Sequence, residues 1–491
     1  MPSQIPALNL VDAILSQCRF QPPAAAICAP GAQIRLVSYR RLEQFIHNSS
    51  RKLEAFGLAP GSIAAVDIRE PALQVAIILA LMRLGVASVS VRDSVPSSLA
   101  VEAIFSDRPA ANFIGPKFIP VDLSWTSGDG TPIDTRHGPP NGADTICRII
   151  LTSGTTGTPK GVGISQQLLS ARIQRHLTIF GNRLPECSRI ICDLPLATSL
   201  GFQFLIYTLL RGGTFFFAGD TFEDMIAAFE EFKAQCLVTS PIGLETFLKF
   251  YEQYPLYQSK FEVAVSGGDL LSKPLSTRVR SRLCSHLISV YGSTETSTAA
   301  AAPAHVVADP PGAVGYVSPG IEVEVVDESE RILPPASEGL IRVRTAFAVD
   351  HYLGSKDEPL SPLRDGWFYP GDIGSVSTDG LLRITGRQKS ILSIGGSKVN
   401  PETVEAALCA YEGIDECAAF SAPNRLGNEE VWVAVVTNSK FKEESLREHC
   451  RTVLPLHFLP SGFVIVDELA RNAMGKIERE KIKSLAAARP E

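Results

Sequence analysis

The sequence has no C-x-x-C pair. Its ten cysteines are scattered, and the nearest two, Cys187 and Cys192, have four residues between them. That usage speaks against a disulfide framework or a zinc site and fits the reduced thiols of a cytosolic protein. The eight histidines offer neither H-x-x-x-H nor H-E-x-x-H, which argues against zinc-hydrolase chemistry. No apolar run is long. The richest, "LQVAIILALM" at 73–82, stops at Arg83 and is too short to span a bilayer. The start, "MPSQIPALNLVDAILSQ", lacks a basic segment and carries Asp12 where the apolar part of an export signal would lie. Charge of one sign is also missing: 46 Lys and Arg against 52 Asp and Glu give a net charge of −6. There is no basic field for nucleic acid. Repeats and low-complexity tracts are absent as well. The expectation is a soluble, cytoplasmic protein with no membrane span and no nucleic-acid partner.

What is present is a core. With 491 residues, 45% of them apolar, the chain can fill two to four domains. A βα rhythm runs through most of it. Strands are expected at "SIAAVDI" (62–68), 86–91, "ICRIILT" (146–152), "RIICDLP" (189–195), "GTFFFAG" (213–219), "CLVTSP" (236–241), "FEVAVSGG" and "LISVYGS". Helices are expected at 71–84, "GFQFLIYTLLR", "TFEDMIAAFEEFK" and from near Lys273. Such alternation predicts α/β architecture, mostly parallel sheets covered by helices. Residues 124–145 read as a long polar loop. From about 313 to 385 the pattern becomes β-rich. A break falls near 383–398, before a helix that Asn400 caps and Pro401 opens. The expected division is an N-terminal domain, 1–385, and a small α+β C-terminal domain, 386–491.

One stretch can bury almost nothing: "LTSGTTGTPKGVG", residues 151–163. Glycines free the backbone to turn several N–H groups toward one anion, hydroxyls add donors, and Lys160 adds positive charge. Following a strand, this is the chemistry of a polyphosphate cradle; the plainer alternative is a surface linker. It is not a Walker A loop, because Pro159 precedes the lysine and Gly161 follows it.

"TSGTTGTPKGV" resembles the phosphate-binding signature of the AMP-forming adenylate-forming superfamily, which includes acyl-CoA synthetases, luciferases and peptide-synthetase adenylation domains. Other motifs agree in order and spacing: "VYGSTET" (290–296), "DGWFYPGD" (365–372), "ITGRQKSILSIGGSKVNPETVE" (384–405) and "NAMGKIERE" (472–480). The likeness covers roughly residues 10–482. It implies ATP-dependent conversion of a small carboxylic acid to an acyl adenylate with loss of pyrophosphate, then transfer to a thiol, with ATP, Mg²⁺ and coenzyme A as cofactors. Two anions must meet in the first step, so neutralisation and alignment matter more than an acid or base.

The resemblance also implies roles. Thr152, Ser153, Gly154, Thr155, Thr156, Gly157 and Lys160 hold the β- and γ-phosphates. Glu295 is the Mg²⁺ ligand, Thr294 meets the α-phosphate, and Tyr291, Gly292 and Ser293 lie near the adenine. Gly267, Gly268 and Asp269 line it. Asp372 takes the ribose hydroxyls with help from Arg387. Lys476 is the catalytic lysine, and Lys389 is the hinge about which the small domain swivels. Thr198, Ser199 and Gly201 border the acyl pocket.

Two departures from the family pattern stand out. Ala197 and Thr198 in "LPLATSLG" occupy places where relatives carry an aromatic and a histidine, and Pro370 replaces a threonine before Gly371-Asp372. The same segment lacks the aspartate that amino-acid-activating domains use. The small run "TSTAAAAP" (296–303) could leave room for an acyl chain or could be loop packing. The leading expectation is an acyl- or aryl-CoA ligase. The rivals are a ligase loading the phosphopantetheine of a carrier protein, and a non-catalytic nucleotide-binding relative.

Overall fold

The computed structural model describes residues 9–92, 94–109, 116–131, 142–152, 160–180, 183–219, 221, 224–225, 228, 231–254, 260–307, 310–354, 362–388, 392–394, 397–423, 429–455, 458–471 and 477–487. Contacts divide the chain into two compact units. One is Met1–Glu322 with Arg344–Phe368; the other is Val323–Val343 with Tyr369–Glu491.

The first unit is built on two sheets. In one, strands follow the order Leu36–Ser38, Ala25–Cys28, Thr214–Phe217, Arg189–Cys192, Cys236–Thr239, Val263–Gly267, Leu287–Ser293, Ser297–Pro303, Ala313–Val317. From Ala25–Cys28 to Leu287–Ser293 neighbours run parallel; the last two pairings are antiparallel. The second sheet has seven strands in the order Tyr352–Leu353, Lys160–Ser165, Ile146–Thr152, Ala87–Ser90, Ile63–Asp67, Val101–Ser106, Lys117–Pro120. This is the α/β architecture expected of the sequence. The expected strands all form, most of them shorter at the ends.

The apolar runs explain the layering. The helix Pro71–Arg83 is apolar all round and is buried along nearly its whole length. Such a helix cannot lie on a surface. Phe202–Leu209 of the helix Ser199–Leu210 are likewise buried. Both feed one core shared with Leu10–Cys18, the helix around Phe45 and the strands beneath.

One alternative is overturned. "TSTAAAAP" is not a loop: Ser297–Pro303 is a strand, antiparallel to Leu287–Ser293, with Ala299, Ala300 and Ala302 buried. Small side chains suit it because the strand is covered on both faces. The polar stretch 124–145 contains two short 3₁₀ turns, Leu123–Thr126 and Gly142–Asp144. Of the helix expected at "TFEDMIAAFEEFK" (221–233), residues 222, 223, 226, 227, 229 and 230 lie outside the described residues.

In the second unit, Asp372–Val376 pairs antiparallel with Leu381–Arg387 and with the start of Gly339–Thr345. A separate sheet of three strands follows, Ile414–Pro423, Glu429–Thr437 and Gly462–Ile465, packed against the helices Pro401–Cys409 and Glu443–Val453. Asn400 caps the first of these helices by accepting from the Glu402 N–H at 3.1 Å, with Pro401 opening it.

Candidate active site

Thr152 ends one strand and Lys160 begins the next, and the two are register partners. The two residues thus flank the phosphate-loop sequence at the end of an antiparallel pair of strands. Thr152 Oγ1 reaches the Lys160 carbonyl at 3.5 Å. Ser153, Gly154, Thr155, Thr156 and Gly157 lie outside the described residues, as do Lys389 and Lys476.

The strand Lys160–Ser165 carries a second neighbour. Tyr352 and Leu353 pair with Val162 and Gly161. That pairing sets the Lys160 ammonium 5.2 Å from the centre of the Tyr352 ring. The Tyr352 hydroxyl in turn donates to Oε1 of Glu295 at 2.7 Å. Glu295 is buried, 6% exposed. The sequence motifs for phosphate and metal are thus joined through a tyrosine that no sequence signal marked.

Glu295 sits in a tight connection between two antiparallel strands. Ser293 Oγ accepts from the Thr296 N–H at 3.1 Å and meets Thr296 Oγ1 at 3.0 Å, shaping the turn. Gly292 is required there: a Cβ would lie 2.2 Å from the Ser297 carbonyl oxygen and 2.8 Å from Thr298 Cα. Tyr291, just before it, is half-buried. Gly267 and Gly268 end the neighbouring parallel strand and the turn after it, and exposed Asp269 accepts from the Leu270 N–H at 2.8 Å.

Arg172 holds this turn from behind. It is fully buried on the helix Gln166–Phe180. Its guanidinium donates to the carbonyls of Thr294 at 3.0 Å, Glu295 at 2.9 Å and Phe347 at 2.8 Å. Burial lowers its pKa to about 10, with the Glu295 charge working the other way, so it stays a cation at neutral pH. A buried cation that satisfies three carbonyls fixes their positions. Arg175, one turn on, donates to the Thr298 carbonyl at 3.2 Å and stacks over Phe347 at 4.3 Å.

Thr198 has a local task. It is the N-cap of Ser199–Leu210: its Oγ1 accepts from the Gly201 N–H at 3.0 Å and donates to the Pro195 carbonyl at 2.8 Å. Gly201 has no room for a side chain, since a Cβ would fall 2.6 Å from the Pro195 oxygen. Ser199 Oγ accepts from Gln203 Nε2 at 2.8 Å, and Gln203 Oε1 accepts from Ser297 Oγ at 3.4 Å. Fully buried Arg148, in the strand that leads to the phosphate loop, donates to the Leu196 carbonyl at 2.8 Å and to Ser88 and Ser90. It ties the segment before Thr198 to that strand.

In the second unit, buried Asp372 and exposed Arg387 face each other across the pair of strands, with Nε 2.9 Å from Oδ1. The Gln388 N–H donates to the Gly371 carbonyl at 2.8 Å and extends the pairing to the residue after Pro370.

A family model described as "AMP-binding enzyme" matches residues 15–353. The chain belongs to this family of AMP-binding enzymes. A second model, "AMP-binding enzyme C-terminal domain", matches residues 403–476. Among similar proteins is a feruloyl-CoA synthase of Amycolatopsis sp, 27% identical, with 95% of this chain and 97% of that one covered. Another is the medium-chain fatty-acid–CoA ligase of Escherichia coli, also 27% identical, matched over 74% of this chain and 65% of its own length. The solved structure of ATP-bound MatB from Rhodopseudomonas palustris superposes with a TM-score of 0.82 at 22% identity, covering 98% of this chain and 99% of that one. This AMP-binding enzyme is an ATP-dependent, AMP-forming acid–thiol ligase of the acyl-CoA synthetase kind. Among the described residues no helix is long and apolar enough to cross a membrane.

Mg²⁺ fits Glu295. Among the described residues no group of three or more His, Cys, Asp or Glu forms a ready cage. Mg²⁺ keeps most of its waters and asks for only one or two carboxylates beside substrate phosphates. A single buried carboxylate, oriented by Tyr352, is the donor set such an ion takes.

Proposed function

We propose that the chain joins a carboxylic acid to ATP at the end of the Thr152–Lys160 hairpin and passes the acyl group to the thiol of coenzyme A. The observation that carries this reading is the link from Lys160 through Tyr352 to Glu295, which gathers a cation and a buried carboxylate at the start of the strand that follows the phosphate-loop sequence. Relatives named as CoA ligases favour CoA over a carrier-protein phosphopantetheine.

In the first half-reaction a carboxylate oxygen attacks the α-phosphorus, the bond to the β-phosphate oxygen breaks, and pyrophosphate leaves. Lys160, with Thr152, Ser153, Gly154, Thr155, Thr156 and Gly157, binds the leaving phosphates and offsets their charge. Thr294 orients the α-phosphate. Glu295 would hold a Mg²⁺, which would supply further neutralisation of phosphate oxygens. Asp372 accepts from the ribose hydroxyls, and Arg387 holds that carboxylate in place. Lys476 bridges the attacking carboxylate and the α-phosphate. In the second half-reaction the CoA sulfur attacks the acyl carbonyl and AMP departs. Lys389 is the hinge for a swivel of residues 386–491 between the two steps.

Acid-dependent exchange of pyrophosphate into ATP, measured over a panel of aliphatic and aromatic acids, tests the first step. Thioester formation with free CoA, against a phosphopantetheine-loaded carrier protein, tests the acceptor. Lys476→Ala should abolish exchange while nucleotide affinity changes little. Wild-type exchange in that variant would sink the lysine assignment. Absence of exchange with every acid would sink the reading as a whole.

A further inference from the structure

We propose that Cys409 and Cys417 form an oxidisable dithiol, a site at which a peroxide closes a reversible disulfide. The two sulfur atoms lie 3.3 Å apart. Cys409 is the last residue of the helix Pro401–Cys409, and Cys417 lies in the strand Ile414–Pro423 against which that helix packs. Of the ten cysteines, Cys409 is the exposed one; Cys417 and the other eight are buried.

The geometry favours closure. A disulfide needs its sulfurs at about 2.05 Å, so they must approach by only about 1.3 Å. An exposed side chain at a helix end can supply that by a small rotation. The frame is already docked. Cys417 Sγ also lies 3.4 Å from the Glu405 carbonyl oxygen, the alternative acceptor for its one S–H. The Glu405 carboxylate accepts from the Ala419 N–H at 2.7 Å and from Arg479 Nη2 at 2.7 and 2.9 Å. Helix and strand are therefore held together before any bond forms, and no refolding is required.

The two thiols also differ in role. A hydrogen bond from the Cys417 thiol lowers the pKa of Cys409, while the same contact, together with burial, raises that of Cys417. The exposed sulfur is the nucleophile and the buried one the resolving thiol. The Cys409 thiolate attacks one peroxide oxygen, the O–O bond breaks, and hydroxide leaves, giving a sulfenic acid. Cys417 then displaces the sulfenic hydroxyl as water. Two thiols are oxidised by two electrons, and one peroxide is reduced to two waters. This inference does not depend on the ligase reading, since neither cysteine has a part in it.

The full-length chain treated with hydrogen peroxide, then denatured and alkylated, should lose two alkylatable thiols and the mass of two hydrogens. A peptide linking Cys409 to Cys417 should appear, and dithiothreitol should restore both thiols. Cys409→Ser should keep Cys417 alkylatable at the same peroxide dose. Cys417→Ser should leave a sulfenic acid at Cys409 that dimedone traps. The proposal is overturned if the parent keeps both thiols at a dose that sulfenylates Cys409 in Cys417→Ser. It is overturned equally if Cys409 in the parent proceeds to sulfinic acid with Cys417 still free.

Discussion

The Tyr352 hydroxyl donates to the Glu295 carboxylate across 2.7 Å, although the two residues are 57 positions apart. A hydrogen bond to a charged group is worth about 1.5–3 kcal/mol. Tyr352→Phe should therefore raise the Mg²⁺ concentration needed for half-maximal adenylation and slow adenylation about tenfold to a hundredfold. Glu295→Gln, which keeps size and loses charge, should do more. Pyrophosphate exchange across a Mg²⁺ titration checks both. An unchanged Mg²⁺ dependence in the two variants would show that Glu295 is not the metal ligand.

Arg172→Met should destabilise the first unit by about 3 kcal/mol or more. It strips donors from the buried carbonyls of Thr294, Glu295 and Phe347. Arg172→Lys keeps the charge but cannot reach three acceptors as a planar fork does. It should fold better than the methionine variant and still exchange pyrophosphate more slowly than the parent. Urea midpoints and exchange rates measured on the same preparations separate the two effects. A methionine variant as stable as the parent would mean the three carbonyls find other donors.

Thr198 caps a helix, so its replacement has two separable outcomes. Thr198→Val should cost about 1 kcal/mol by removing the acceptor for the Gly201 N–H, whereas Thr198→Ser should cost little. The parent, with threonine where relatives carry a histidine, should release AMP from acid and ATP before any thiol is added, because an unshielded mixed anhydride hydrolyses. Thr198→His should lose stability and yet leak less AMP. Thermal midpoints follow the first change and AMP release without CoA the second. A parent that retains its adenylate without leakage would remove the argument for an open channel.

Acid should destabilise the first unit through two histidines. Burial first, then the positive charge of Arg83, lowers the pKa of His47 to about 4; Arg83 Nη1 donates to its Nδ1 at 2.8 Å. Burial lowers His176, packed against Phe180, Phe204 and Tyr207, to about 3. Both values fall below the unfolded value of 6.5. The folded state thus binds fewer protons, and stability present above pH 6.5 is lost as pH falls toward 4 and 3. For His47 the loss is on the order of 3 kcal/mol. Thermal midpoints at pH 7 and pH 4.5 should differ less in His176→Phe than in the parent. An equal drop in both would show that His176 does not carry it.

The alternation of apolar strands with apolar helices was enough to place the α/β sheets, because strands buried on both faces must be apolar throughout. Thr152, Lys160, Glu295, Asp372 and Arg387 were singled out from motif residues alone, since the phosphate, metal and ribose chemistry proposed for them restricts the residue types at fixed local spacing. Asn400 was legible as a cap for the same local reason. Tyr352, Arg172 and Arg148 were not. Each acts through a partner many positions away, and a lone tyrosine or arginine in sequence carries no mark of the carbonyl or carboxylate it will meet. Only the antiparallel addition of Tyr352–Leu353 to the strand after the phosphate loop brings Tyr352 to Glu295. Thr198, expected to border the acyl pocket, also caps a helix through Gly201, a task its hydroxyl takes from the neighbouring backbone. Nor do the seven residues between Cys409 and Cys417 reveal a sulfur separation of 3.3 Å. The sequence determined the fold and the kinds of chemistry at its local motifs, where the physical constraint acts within a few residues. Tertiary structure decided which distant side chains hold those motifs in place, because that depends on strand register and helix packing that no short stretch encodes.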